Sequence, residues 1–517
     1  MLQIRNLNIS HKKDLHELVK DFNLVLNPGD KAVLIGEEGD GKSTLLKWIY
    51  RPELIESYAE AAGAKSSPGE RLGYLPQELP REDGERSVYE FFCCEEGFLE
   101  KPPWELARLA GELGVPAELF YSEQRMNTLS GGEKVKLSLA RLMLAAPTIL
   151  LLDEPSNDLD METLLWLEKF ILHAEGAVLF ISHDETLIER TANVVVHLEQ
   201  LRRKTTSRAT VARMPYRQFL KEREAGFACQ EKLARAQQRE EKARQEKLHR
   251  LEQQVKHEMD VLPKAGSDAA GRLLKKKMKA VKSMEHRYER EGAGRTGLPE
   301  YEEAMYFKLG EGVRMPAGKT VLEYSLKELT VSDRVLSRDI FLRVRGGEKV
   351  CIVGKNGAGK TTLLRRIAEE LLARRDIRAY YMPQNYSDLL PLSLSPADYL
   401  SLTGDKEEQT RIRTYLGALK FTADEMKHPI AELSGGQKGK VLLLQMSLSQ
   451  ADVLILDEPT RNFSPLSGPV IRRMLREYRG AVISISHDRK YIGEVCKSVY
   501  HLTPEGLLPE RGFEMVK

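Results

Sequence analysis

Cysteine is scarce in this chain, five among 517 residues, and no two of them form a Cys-x-x-Cys pair; Cys93 and Cys94 are simply adjacent. Neither a zinc site nor a disulfide framework is indicated, and the thiols read as buried or incidental. Also missing is any apolar run near the roughly 18 residues that a membrane-spanning helix needs. The opening Met1-Leu2-Gln3-Ile4-Arg5-Asn6 is strand-like, without a charged-then-apolar signal segment. The expected location is therefore the cytoplasm, with no membrane partner. Net charge is small too, +2 for the whole chain. With 41% hydrophobic residues the chain has core enough for two domains of about 200 residues and a connector.

What the sequence does contain is a phosphate loop, twice. Gly36-Glu37-Glu38-Gly39-Asp40-Gly41-Lys42-Ser43 and Gly354-Lys355-Asn356-Gly357-Ala358-Gly359-Lys360-Thr361 each follow an apolar strand and open a helix, which is the context the pattern requires. Glycine lets backbone N–H groups curl around a β-phosphate, Lys42 and Lys360 bring positive charge to the β and γ oxygens, and the hydroxyls of Ser43 and Thr361 can ligate Mg²⁺. Thr44 and Thr362 follow directly and join the candidate nucleotide contacts. Each loop reads as a cradle for a nucleoside triphosphate, and a purely structural turn is the weak alternative.

The same motifs follow each loop in the same order, so the chain is an internal duplication. After the first come Gln77, then Leu129-Ser130-Gly131-Gly132-Glu133, then an apolar run ending in Asp153-Glu154-Pro155, then Ser182-His183-Asp184. After the second come Gln384, Leu433-Ser434-Gly435-Gly436-Gln437, Asp457-Glu458-Pro459 and Ser486-His487-Asp488. A buried strand can hold Asp153 or Asp457 rigidly where it positions Mg²⁺, with Gln77 or Gln384 sensing γ-phosphate and metal. Glu154 and Glu458 are then placed to polarise the attacking water, and His183 and His487 to contact the γ-phosphate. Any one Gln or His alone would more often be an ordinary loop or core residue.

Ser-Gly-Gly opening a helix is an anion site, since its N–H groups and the helix dipole point the same way. Within one cassette the phosphates are already held, so this site must serve the other copy. The motif order resembles the ATP-binding cassette superfamily, whose paired cassettes sandwich two ATP molecules head to tail. That resemblance implies that Lys42 faces Ser434 and Lys360 faces Ser130, within a monomer.

Between the copies lies a charged connector. From about Tyr216 to Arg290 the chain is rich in Lys, Arg, Glu and Gln, broken only at Leu262-Pro263-Lys264-Ala265-Gly266-Ser267-Asp268. Apolar residues recur at Leu248, Leu251, Val255, Met259 and Leu262, then at Leu274, Met278, Val281, Met284 and Tyr288. Steps of three and four make a seam, which predicts an antiparallel helical hairpin whose first helix spans Tyr216 to Asp260. Lys221 to Arg290 holds 19 Lys and Arg against 12 Asp and Glu, a net +7, so the remainder sums to −5. Such a concentration favours a phosphate backbone through counterion release. Leu262, Pro263, Lys264, Arg272, Lys275, Lys276, Lys277 and Lys279 are the candidate RNA contacts. A charged hairpin that is merely solvated is the competing reading.

Taken whole, the chain resembles the ABC-F family, tandem-cassette ATPases that act on the ribosome; Tyr216-Arg217-Gln218-Phe219-Leu220 is similar to the start of that family's linker. The resemblance implies an α/β fold of two P-loop cassettes, 1–207 and 319–517, joined by a linker over 208–318 with its tip near 261–271. It further implies ATP and Mg²⁺ as cofactors, ATP hydrolysis as the reaction, and large-subunit rRNA and the P-site tRNA near the peptidyl-transferase centre as partners. After Glu154-Pro155 the first cassette reads Ser156-Asn157-Asp158-Leu159-Asp160, whereas the second reads Thr460-Arg461-Asn462-Phe463-Ser464-Pro465-Leu466-Ser467, with no Asp at its end. Gln77 to Ser130 spans 53 positions and Gln384 to Ser434 spans 50, which leaves little room for an added arm in the first cassette. Both features are similar to the branch that protects ribosomes from lincosamides, streptogramin A compounds and pleuromutilins. A housekeeping translation factor of the same family, and the ATPase subunit of a transporter, are the alternatives. No aromatic lies between Leu329 and Arg338 and only His11 offers itself in the first cassette, so base selection, ATP over GTP, is expected to be loose.

Overall fold

The computed structural model describes residues 1–510 apart from 14, 96, 158, 202–205, 262–267, 293–308, 310–312, 314, 332–333 and 402. It divides into one compact unit holding both cassettes, Met1–Tyr216 with Glu302–Lys517, and a second unit, Arg217–Tyr301.

Each cassette is built on a six-stranded sheet of the same order. In the first, Leu72–Leu75, Ile149–Asp153, Ala177–Ile181, Lys31–Ile35, Val194–Leu201 and Thr206–Ala212 lie side by side; the second repeats this with Ala379–Met382, Val453–Asp457, Ala481–Ile485, Lys349–Val353, Ser498–Thr503 and Gly506–Pro509. All neighbours are parallel except the last pair. The three central strands of each sheet are buried at every residue, because parallel strands covered on both faces read as unbroken apolar runs. The edge strand Thr206–Ala212 carries the first sheet past position 207, where the sequence reading ends that domain. A smaller antiparallel layer flanks each sheet, Glu17–Leu26, Leu2–His11 and Ala59–Ser66 in the first cassette and Thr320–Val331 with Arg334–Arg345 in the second.

This stacking fixes where the chemistry sits. Carboxyl ends of parallel strands open onto a common crevice, and the strands Lys31–Ile35 and Ile149–Asp153 deliver the phosphate loop and Asp153 there together. In the loops, Gly41 (φ 87°) and Gly359 (φ 92°) cap the helices Lys42–Tyr50 and Lys360–Ala373 in the left-handed region. A side chain at Gly359 would also meet Leu329 and Leu336 at 3.0 and 2.9 Å, so only glycine serves at that cap.

The second unit is a pair of helices, Tyr216–Val261 and Asp268–Gly292, the first ending one residue beyond the expected Asp260. Val255 and Val281 bury against each other, flanked by Leu248, Leu251 and Met278. Glu258 pairs with Lys277 at 2.7 Å, and the Arg244 guanidinium lies 5.3 Å from the Tyr288 ring centroid. Partners descend on one helix as they climb on the other, so the hairpin is antiparallel. At about 1.5 Å per residue, the 46-residue first helix is about 69 Å long. Leu262, Pro263 and Lys264 lie outside the described residues, as does the side chain of Arg272.

Candidate functional site

The phosphate loops hold their lysines by their own carbonyls. Lys42 Nζ donates to the backbone oxygens of Gly36 (3.0 Å) and Glu37 (2.8 Å), and Lys360 Nζ to those of Gly354 (2.8 Å) and Lys355 (3.0 Å). Both ammonium groups are buried, and burial pushes the pKa of Lys360 down while Glu458, Asp160 and Asp457 work against that. Beside each loop stands the expected acidic pair at a strand end. Ser43 Oγ donates to Asp153 Oδ1 at 2.9 Å and Tyr74 to Oδ2 at 3.2 Å. In the second cassette the Asp457 carboxylate is buried, with the Thr361 hydroxyl as its hydrogen-bonding neighbour. Burial raises the pKa of both aspartates. A buried carboxylate beside a phosphate-loop hydroxyl, Asp153 with Ser43 and Asp457 with Thr361, is suited to Mg²⁺, which takes one or two carboxylates plus waters and phosphate oxygens.

The catalytic candidates differ between the copies. Glu154 accepts from Gln77 Nε2 (3.2 Å) and Asn157 Nδ2 (2.5 Å), and its Oε1 lies 3.2 Å from His183 Nε2. Burial pushes its pKa up, but the His183 hydrogen bond and charge, with Lys42 and Asn157, prevail and hold it at about 2. Glu458 has no such cluster. Its nearest imidazole nitrogen, His487 Nε2, is 3.8 Å away, and burial with the neighbouring Asp457 charge pushes its pKa up to about 8. Burial and the Lys360 charge lower His487 to about 4. Both glutamates sit in the left-handed backbone region, φ 50° and 52°, a conformation that costs non-glycine residues of order 1–3 kcal/mol.

Ser130 and Ser434 cap the helices Gly131–Leu144 and Gly435–Leu448, each in a reciprocal box with Glu133 or Gln437. Gly132 and Gly436 stand in the first turns of these helices, at the positive end of each dipole. At the second site Ser130 and Gly131 share a cavity of about 820 Å³ with Asn356, Gly357, Gly359, Lys360, Thr361 and Thr362. Gln384, Asp457, Glu458 and His487 line it too. Where an aromatic base platform is missing, Val331, Arg334 and Leu336 form that part of the wall.

Three contributions were not visible in the motifs. Asp160 caps the helix Met161–His173 through Thr163 N–H at 3.0 Å, and it also accepts from the backbone of Asn356 in the other cassette. Burial pushes its pKa up, yet Thr163, His487 and Asn356 hold it below the usual range. The second copy has no carboxylate at the matching position, only Ser464 and Ser467, both buried. At the first site Gly39, Thr44 and Ser434 are present, but the amides of Gly435 and Gly436 are bonded to Glu38. Finally, a cluster of ion pairs joins the cassettes: Arg472 to Glu185 at 2.6 Å, Arg489 to Glu168 at 2.9 Å, and Lys490 to Glu185 at 3.0 Å. The unlike residues Glu38 and Asn356 at matching loop positions, and the loop ending in Asp160 that the second copy lacks, were the signals available beforehand.

The comparisons agree with this geometry. The family model described as ABC transporter matches twice, over residues 19–157 and 337–461, together just over half of the chain. The Bacillus subtilis protein named ribosome protection protein VmlR is 28% identical over 97% of this chain and 86% of its own length. Human ATP-binding cassette sub-family F member 3 is 26% identical over 100% of this chain and 73% of its own. Among solved structures, the archaeal ribosome recycling factor aABCE1, in complex with the ribosomal stalk protein aP1, superposes with a TM-score of 0.60 at 17% identity. It covers 98% of this chain and 90% of that one, a likeness of fold. No helix among the described residues is long and apolar enough to cross a membrane. The chain is thus an ATP-hydrolysing, Mg²⁺-using member of the ABC transporter family, a tandem-cassette protein of the ABC-F type.

Proposed function

We propose that this ATPase works on the ribosome: ATP draws the cassettes together, the closed form binds, the basic hairpin reaches large-subunit rRNA and the P-site tRNA, and hydrolysis releases it. The finer reading is protection against lincosamide, streptogramin A and pleuromutilin antibiotics, which places the protein in the cytoplasm. The observation that carries it is the hairpin itself. Lys275, Lys276, Lys277 and Lys279 are all exposed on the second arm helix, and of these Lys277 pairs with Glu258. Sequence similarity to a protein named for ribosome protection supports the reading. The long basic hairpin, for which the ATPase subunit of a transporter has no use, disfavours that alternative.

In this reading Lys42 and Lys360, with the glycine amides, hold the β and γ phosphates. Ser43 with Asp153, and Thr361 with Asp457, hold Mg²⁺, and Gln77 and Gln384 approach it from their loops. Bound Mg²⁺ neutralises charge that develops on the transferring phosphoryl group. Glu154 and Glu458 orient and polarise the attacking water, while His183 and His487 donate toward the γ-phosphate. Ser130, Gly131 and Gly132 complete the second site, and Ser434, Gly435 and Gly436 the first, so that ATP favours the closed pair.

The test is co-sedimentation. A chain carrying Glu154→Gln and Glu458→Gln should pellet with ribosomes when ATP is added and stay in the supernatant without it. Failure to pellet under saturating ATP overturns the ribosomal reading. Inhibitory concentrations of the three drug classes, measured in a susceptible host expressing the wild-type gene, separate drug protection from a housekeeping translation role.

A further inference from the structure

The two phosphate loops diverge where it matters chemically, Glu37-Glu38 in the first against Lys355-Asn356 in the second. In the first site the Glu38 carboxylate accepts from the backbone N–H of Gly435 at 3.2 Å and from that of Gly436. Glu37 beside it receives the ammonium of Lys440 at 2.9 Å, with only 16% and 10% of the two side chains exposed. Those amides begin the helix Gly435–Leu448, where the backbone donors and the dipole favour an anion. A γ-phosphate held by Lys42 needs the same two donors. The space left around them is about 20 Å³, against about 820 Å³ at the second site. In the other loop Lys355 turns outward to Glu162 at 3.6 Å with both side chains more than three-quarters exposed, and the backbone of Asn356 donates to Asp160.

We propose that Glu38 is a built-in competitor of the γ-phosphate at the first ATP site. Its carboxylate occupies the signature amides of the opposite cassette, so ATP binds in the sandwich only by expelling it. ADP has no γ-phosphate and meets no such rival. The first site therefore fills after the second, and the cassettes have a nucleotide-independent tie at that site.

The test uses the full chain with Lys360→Ala, which leaves the first site to be read alone, and Glu154→Gln to stop turnover. Equilibrium dialysis with radiolabelled ATP and ADP in Mg²⁺ then compares Glu38 with Glu38→Asn, the residue of the second loop. The expected result is an ATP dissociation constant at least about tenfold lower, the scale of one charge-assisted hydrogen-bonded rival, with ADP unchanged. An unchanged ATP constant, or an equal gain for ADP, overturns the proposal. In a chain with Lys42→Ala, where the second site is read, Glu38→Asn should leave the ATP constant as it was; a shift there signals a general structural effect and also overturns it. Glu38→Gln, which keeps the length and removes the charge, gives the same pattern if the shorter side chain impairs folding. No ribosome enters the assay, so its failure is separate from that of the proposed function.

Discussion

Arg472 of the second cassette and Glu185 of the first form a buried two-pronged ion pair, 2.6 and 3.2 Å, with 3% and 4% of their side chains exposed. Glu185 follows Asp184 and His183, and Arg489 and Lys490 follow His487 and Asp488, so the segments after both histidines are tied to one another. Acid stands on the first cassette and base on the second, a complementarity that suits pairing within one chain and opposes two first cassettes meeting.

Removing one partner of such a pair leaves a desolvated charge. Glu185→Ala should therefore destabilise the two-cassette unit by about 3–5 kcal/mol, whereas Lys490→Ala, taken from a more exposed position, should cost well under half of that. Urea unfolding of both variants checks it; equal midpoints would show that Glu185 carries no special weight. A Glu185→Leu, Arg472→Met double variant should recover much of the loss.

Turnover should be unequal at the two sites. The second has Asp160 reaching across to Asn356 and the open cavity, while the first has Glu38 on its signature amides. Glu458→Gln should cut kcat by roughly 10²-fold or more, and Glu154→Gln by less than about tenfold. Matching losses in the two single variants would refute the asymmetry.

Stability should also respond to pH through these groups, with opposite signs. His487 is held at about 4 against an ordinary 6.5, so the unfolded chain takes a proton first; stability present above 6.5 is lost as pH falls toward 4. Glu458, at about 8 against 4.5, keeps a proton that the unfolded chain releases, and its contribution is lost as pH rises through 8. Urea midpoints measured from pH 4 to 9 should therefore lose their acid limb in His487→Gln and their alkaline limb in Glu458→Gln. Variants that merely shift every midpoint by a constant would contradict this.

Replacing Lys275, Lys276 and Lys279 by Ala should weaken ribosome binding and flatten its salt dependence. Three lost phosphate contacts lower the slope of log K against log salt by about 2–3. A slope that matches wild type would show that these ammonium groups face solvent only.

Much of this was legible in the chain because phosphate chemistry demands consecutive residues. Gly359-Lys360-Thr361 or Leu456-Asp457-Glu458 names its own strand end and loop, and the three-and-four spacing around Val255 and Val281 located the hairpin seam. Apart from the facing of Lys360 and Ser130 that the resemblance implied, contacts between cassettes were not legible. Glu38 meets Gly436 across 398 positions and Glu185 meets Arg472 across 287, and no local pattern encodes a meeting that the duplicated fold alone brings about. The edge strand Thr206–Ala212 was missed because it shows no clean alternation, with polar Ser207 buried and apolar Val211 exposed.

The left-handed backbone at Glu154 and Glu458 sets durability against activity at the same two residues. Glycine there would relax the turn after each strand and free the fold of a local burden, yet it would take away the group that aims the water. A search for sturdier variants of this protein would thus be drawn to the very changes that silence it, and screens run on melting temperature alone should enrich inert clamps.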